Sequence, residues 1–183
     1  MKKNHGCLFV LLFTLLLYTV ESEMYHSDVV VMQELRNMMN YSSDLGWSGE
    51  DPCKWVHIYC DEDQIKDIRL GNLNIYGTLP QSLNNLQSLQ ILELQGNHLS
   101  GNLLSLSGLR PLKKMSVKGN RFSSIPGNFF DGLSSLKSII LDDNPFAPWG
   151  IPDSLKCASK LVFLFRQFSK YSKTSPEEYS LYE

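Results

Sequence analysis

The strongest constraint on this chain is its self-similarity. Laid against itself at a shift of about 24 residues, the sequence repeats. One copy runs Ile65, Ile68, Leu70, Leu73, Ile75, Gly77, Leu79, Pro80. A second runs Leu89, Leu92, Leu94, Asn97, Leu99, Gly101, Leu103. A third runs Leu112, Met115, Val117, Asn120, Phe122, Ile125, Pro126, and a fourth Leu136, Ile139, Leu141, Asn144, Phe146. A weak fifth starts at Leu161 and Leu164. A single copy has too little apolar surface to close a core of its own, so the copies must stack. The alternation Leu92-Glu93-Leu94 predicts a short strand with one face buried. At about 25 cal/mol per Å² of apolar area, stacking of these aliphatic side chains is the dominant stabilising contribution.

Each position in the copy has a physical role. Asn97, Asn120 and Asn144 turn the chain inward, where their amides can satisfy backbone groups leaving the strand. Gly77 and Gly101 permit the tight bend that follows. The spacing L-x-x-L-x-L-x-x-N-x-L resembles the leucine-rich repeat. It implies an α/β solenoid, a right-handed leucine-rich-repeat horseshoe segment with short parallel strands on the concave face. About four repeats are expected over residues 63–160, with a degenerate fifth repeat and a polar tail over 161–183.

The residues between the leucines point away from the core. Reading across the strands gives Arg69, Glu93, Ser116 and Ile140 in one row, and Gln95, Lys118 and Asp142 in another. These seven are the candidate concave-face binding residues, a mixed-charge recognition surface. The competing reading is a solvated face whose neighbouring charges balance, since isolated surface ion pairs contribute little.

The amino terminus sets the compartment. Lys2 and Lys3 precede an apolar run from Cys7 to Val20, shorter than the roughly 20 residues of a spanning helix. A basic start, a short apolar stretch and a small-residue exit read as a secretory signal over 1–22. The chain carries 17 basic and 19 acidic residues, a net −2. Removing Lys2, Lys3 and Glu21 with the signal leaves 15 and 18. That balance, with no Lys/Arg stripe, excludes an electrostatic case for nucleic acid. The expected location is secreted, or on the outer face of the plasma membrane.

Cys7 leaves with the signal. Cys53 and Cys60 are close enough in sequence to bridge in an oxidising compartment, which would stabilise the chain by about 2–3 kcal/mol. His57 lies between them, but three ligands with no fourth nearby make a weak zinc site, so neither metal nor cofactor is expected. Cys157 is then an odd thiol, either buried and inert or open to pairing between chains. Asn40-Tyr41-Ser42 is the sole Asn-x-Ser/Thr sequon, making Asn40 the expected glycosylation site.

Solenoids need an atypical first unit to shield the open end of the stack. Residues 23–62 fit that description. Ser27 can N-cap a helix from Asp28 to about Asn40, with Val31, Leu35, Met38 and Met39 as its apolar stripe. Trp47 and Trp55 flank Cys53, and Asp51-Pro52 shapes a turn.

Trp47, Asp51-Pro52-Cys53, Trp55 and Cys60 resemble the N-terminal cap of plant leucine-rich-repeat receptor-like kinases. The stretch Leu70 to Pro80, with its Gly-Thr-Leu-Pro ending, is similar to that family's first repeat. Leu141-Asp142-Asp143-Asn144-Pro145-Phe146-Ala147-Pro148-Trp149, followed by Ile151-Pro152-Asp153-Ser154-Leu155, resembles the ectodomain of the transmembrane-kinase (TMK) type. The resemblance covers about Ser27 to Leu161.

There are departures. Leu73 stands where later repeats have asparagine, Leu104 where the motif has proline, and the third repeat is one residue short near Ser123-Ser124-Ile125. The sequence holds no Gly-rich phosphate loop, H-R-D or D-F-G triplet, so the family's kinase activity is not carried over. His98, beside a repeat asparagine, is expected at a surface turn rather than in catalysis.

The resemblance implies a non-catalytic extracellular recognition module. Its partner would be a protein or peptide, a full-length receptor kinase among the candidates. The alternatives are a remnant without function and a secreted inhibitor of an enzyme. The apolar run Leu161 to Phe165, with Phe168, has no following repeat. Uncovered strand edges of this kind favour association or dimerisation.

Overall fold

The computed structural model describes residues 28–41, 45–148 and 152–165. The expected signal segment, Ser27, Trp149, Ile151, Phe168 and the polar tail lie outside these. The chain starts with helix α1 over 28–38, followed directly by strand β1 (Met39–Tyr41). The helix is thus two residues shorter than its apolar pattern predicts. Met32 joins Val31, Leu35 and Met39 in the core, whereas Met38 is half-buried. A 3-10 turn (Pro52–Lys54) leads into β2 (Ile58–Asp61), which forms an antiparallel hairpin with β3 (Gln64–Arg69).

Two sheets follow, because each coil contributes two strands. The first of each coil builds the long sheet: β3, β5 (Ile91–Glu93), β7 (Lys114–Ser116), β9 (Ser138–Ile140) and β10 (Phe163–Phe165) pair in parallel, with β2 on the outer edge. This is the expected concave sheet, and the weak fifth copy supplies a full strand to it. The second sheet consists of β4 (Ile75–Gly77), β6 (His98–Asn102) and β8 (Arg121–Ser124), parallel to one another, with β1 antiparallel at its edge. The repeat pattern as read did not anticipate this flanking sheet. Elsewhere the coils close through short 3-10 turns at Gln81–Asn85 and Asp153–Cys157. Among the described residues, α1 is the only α-helix.

The aliphatics of every repeat meet in one core. Leu70, Leu94, Leu99, Val117, Phe122 and Ile139 are each 0% exposed. Phe129 and Phe130 meet edge to face at 5.1 Å within it. At the cap, the Trp47 and Trp55 rings stack at 4.9 Å and both indole N–H groups are satisfied, by Val56 O and Ser48 O. Arg36 lies over Trp55 at 5.3 Å and donates to Trp47 O. The cap is locked to the first coil by Asp28, whose carboxylate accepts from Ile65 N–H at 3.2 Å, and by the Ser82–Glu34 hydrogen bond.

The asparagines form a ladder between the sheets. Asn97 Oδ1 accepts from Leu73 and Ile75 N–H, Asn120 Oδ1 from Leu99 N–H, and Asn144 Oδ1 from Phe122 N–H. Each therefore serves the coil before it. That explains Leu73, which stands at the first rung. The coil before it carries no parallel flanking strand, and antiparallel β1 fills that place.

Candidate recognition surface

Cys53 and Cys60 are joined in a disulfide, so neither thiolate is left for a metal, and the zinc reading of His57 falls away. His57 sits in the turn before β2 with φ 69°, and its carbonyl accepts from Arg69 N–H. Cys157 is a free thiol of intermediate exposure.

Strand register brings Arg69, Glu93, Ser116 and Ile140 into one row across β3, β5, β7 and β9. The second row continues beyond the strand ends. There the carbonyls of Gln95, Lys118 and Asp142 accept from Asn72, Gly96 and Gly119 N–H of the preceding coil at 2.7, 2.8 and 3.0 Å. The seven residues therefore share one sheet face on a hydrogen-bonded backbone, though their side chains differ in what they offer. Ser116 is only 4% exposed. Its short side chain stands in register between the longer Glu93 and Ile140, so it forms floor rather than contact surface. Gln95 is half-buried and lies across Gly71, where an added Cβ would come within 2.4 Å of its Nε2. Its buried Oε1 has no hydrogen-bond donor.

The charges on this face are largely paired among themselves. Arg69 donates to Asp67 Oδ2 from Nε and Nη2, at 3.2 and 2.7 Å, and its guanidinium lies 5.3 Å from the Tyr59 ring centroid. The hydrogen bond to Asp67 pushes the already high pKa of Arg69 further up. Lys114 Nζ meets Glu93 Oε1 at 2.6 Å, and Lys118 Nζ meets Asp143 Oδ2 at 3.5 Å. Such exposed pairs are each worth well under about 1 kcal/mol. They do fix side-chain directions and leave a face of alternating sign.

Tyr59 escaped the residue-by-residue reading. Tyr59 is 53% exposed on the edge strand. The signal that could have found it is Arg69 on the neighbouring strand, since a cation and a ring across two strands pair readily.

A second group lies on the flanking sheet. Tyr76 stacks on His98 with centroids 4.4 Å apart, and Arg121 lies 5.8 Å from the Tyr76 ring centroid. His98 opens β6 rather than lining a turn, which corrects its expected place. It stands beside Asn97 and is drawn into the strand by the Asn120–Leu99 bond next to it. The missed signal was the alternation Ile75-Tyr76, Leu99-Ser100, Phe122-Ser123 after each asparagine position, a period of two.

Comparison with known proteins places this geometry. Residues 26–61 match the leucine rich repeat N-terminal domain. Over 155 residues the chain is 43% identical to the receptor-like kinase TMK2 of Arabidopsis thaliana, covering 84% of this chain and 17% of that protein. An inactive leucine-rich repeat receptor-like serine/threonine-protein kinase of the same plant is 36% identical over 138 residues, 74% of this chain and 20% of its own. The chain thus spans about a fifth or less of these curated relatives' length. Among solved structures, a chain in the BIR3–SERK2 complex from Arabidopsis superposes with a TM-score of 0.67 at 32% identity, over 75% of this chain and 79% of that one. The BIR2 ectodomain shares the fold, with a TM-score of 0.68 at 23% identity.

Proposed function

The chain belongs to the plant leucine-rich-repeat receptor ectodomain family, and from that premise we propose that it is a non-catalytic extracellular recognition module whose partner is a protein, specifically the ectodomain of a receptor kinase. The contact face is the long sheet. Arg69, Glu93, Gln95, Lys118, Ile140 and Asp142 are its contact residues, with Ser116 beneath them and Tyr59 and Lys114 at the rim. The observation that carries the reading is the alternating-sign face held on a rigid parallel sheet. Its side chains are positioned before a partner arrives, so little ordering entropy is lost on binding. The relative seen in the BIR3–SERK2 complex supports a second ectodomain as the class of partner. The Cys53–Cys60 disulfide supports an oxidising, extracytoplasmic location. Histidine chemistry finds no support here, as His57 sits in a tight turn and the His98 ring is stacked on Tyr76.

The test is binding of the purified chain to immobilised ectodomains of TMK2 and SERK2. The wild type is compared with Glu93→Lys combined with Lys118→Glu, after circular dichroism has shown both to be folded. Both substitutions set like charges against Lys114 and Asp143, and affinity should fall by at least about tenfold. Equal binding by the variant removes the long sheet as the contact face. Binding of the wild type to neither ectodomain removes this class of partner.

A further inference from the structure

The sequon has a structural setting that the recognition reading does not use. Asn40 is the middle residue of β1, whose burial alternates from buried Met39 through exposed Asn40 to half-buried Tyr41. In the antiparallel pairing of β1 with β4, Asn40 stands directly opposite Tyr76, on the same outward face. Directly opposed residues have Cβ atoms only about 5 Å apart. Tyr76 is 41% exposed, an open ring on a solvent face. Its other surroundings hold it in place, with His98 stacked against it and Arg121 nearby. Among the described residues β1 is also the outermost strand of its sheet, an edge of the kind that can recruit another chain.

From this juxtaposition we infer that Asn40 carries an N-linked glycan whose first N-acetylglucosamine seats on the Tyr76 ring. The donor class is a lipid-pyrophosphate-linked oligosaccharide. The Asn40 Nδ2 forms a bond to the anomeric carbon as the bond from that carbon to the pyrophosphate oxygen breaks. The lipid pyrophosphate departs with the bonding pair, and Nδ2 gives up one of its protons. Once attached, the sugar's C–H face meets the electron-rich face of the tyrosine, which attracts positive edges. The glycan then covers the open side of β1 and directs partners away from the flanking sheet toward the long sheet. The inference rests on the extracellular reading above, because this chemistry happens only to chains entering the secretory route.

The test uses the full chain expressed in plant cells, with the medium and cell fractions analysed by intact mass and peptide mapping. The wild type should be secreted with one glycan. An amidase that releases N-glycans should remove it and convert Asn40 to aspartate. Asn40→Gln and Ser42→Ala should both be secreted bare. The seat is tested with Tyr76→Ala, which should keep the glycan. It should lower the melting temperature of the glycosylated chain by more than that of the enzymatically deglycosylated one. Wild-type chain retained in the cytosol overturns both this inference and the extracellular reading. Secreted wild type with a bare Asn40 overturns the glycan alone. An equal melting shift in both forms overturns the tyrosine seat.

Discussion

Replacing Asn120 by alanine probes the ladder that joins the coils. Asn120 is 6% exposed and makes three short hydrogen bonds. It accepts from Leu99 N–H at 3.0 Å and donates to Leu94 O at 2.8 Å and Val117 O at 2.9 Å. The two carbonyls are shared. Leu94 O also accepts from Asn97 Nδ2 at 3.0 Å, and Val117 O from Asn144 Nδ2 at 2.9 Å. In Asn120→Ala only Leu99 N–H loses its side-chain acceptor outright, at a cost of about 2 kcal/mol, while each carbonyl keeps one donor and loses about 0.5 kcal/mol. The sum is about 3 kcal/mol. Asn97→Ala strips Leu73 N–H, Ile75 N–H and Leu70 O together and should cost about 4 kcal/mol. Asn144, half-buried at the last rung, should cost about 1–2 kcal/mol. The sharing also predicts that the double variant of Asn97 and Asn120 loses about 1 kcal/mol more than the two singles added, because Leu94 O is stripped of both donors only there. Urea unfolding followed by tryptophan fluorescence and by circular dichroism reads all four values. A loss below about 1 kcal/mol for Asn120→Ala, or strict additivity of the pair, would refute the shared-carbonyl account.

Two further perturbations test the joint between cap and solenoid. Gly77 has φ 113°, and an added Cβ would lie 2.1 Å from Met38 O, a backbone atom. Gly77→Ala should therefore cost about 3 kcal/mol in thermal or urea unfolding. Gly49→Ala, with φ 77° and nothing within 4 Å, should show backbone strain alone, about 1 kcal/mol. Equal losses would show that the close approach of β1 to β4 does not matter. At Asp28, burial pushes the carboxyl above its ordinary 3.8, against the opposing effects of Ile65 N–H and Lys66. A raised folded-state value means that the Asp28 contribution to stability is complete below pH 3.8 and is lost as pH rises through the folded value. Asp28→Asn keeps an oxygen for Ile65 N–H. It should match the wild type in acid and exceed it at neutral pH, as read from urea midpoints across the pH range. A gap that widens toward acid would overturn the sign.

The long sheet was legible because its signal is redundant. Leu92 and Leu94 bracket Glu93, and the same triplet recurs at Met115–Val117 and Ile139–Leu141, so register follows from the period alone. The rows of outward residues follow from that register. Their exposure does not: Ser116 is 4% exposed in register between Glu93 and Ile140, although the pattern puts it in the same outward row. The flanking sheet was harder to see. Its central strand β6 runs through Gly101, which reads as a turn. The pairing of its strands is held by side-chain amides a coil away, information that no local window contains. The end of α1 is hidden in the sequence for a related reason. Met39 fits the helical stripe, but pairing with Gly77 draws it into a strand.

The charges of the long sheet are already paired, and that pairing bears on how a partner would be chosen. On the long sheet, Arg69, Lys114 and Lys118 each already hold a carboxylate. A partner's charged groups can join these pairs or displace one member, and either way the net gain is small because a comparable interaction is already present. A wrongly charged partner, by contrast, meets a like charge fixed in direction by its pair. Such a face contributes discrimination more than affinity. On the proposed reading affinity would come from desolvating exposed ring and aliphatic surface, and Tyr59, exposed at the edge of the long sheet beside Arg69, is the ring placed to contribute it. Tyr59→Ala should therefore weaken partner binding more than any single charge removal on the same sheet, with the charge variants altering partner choice instead.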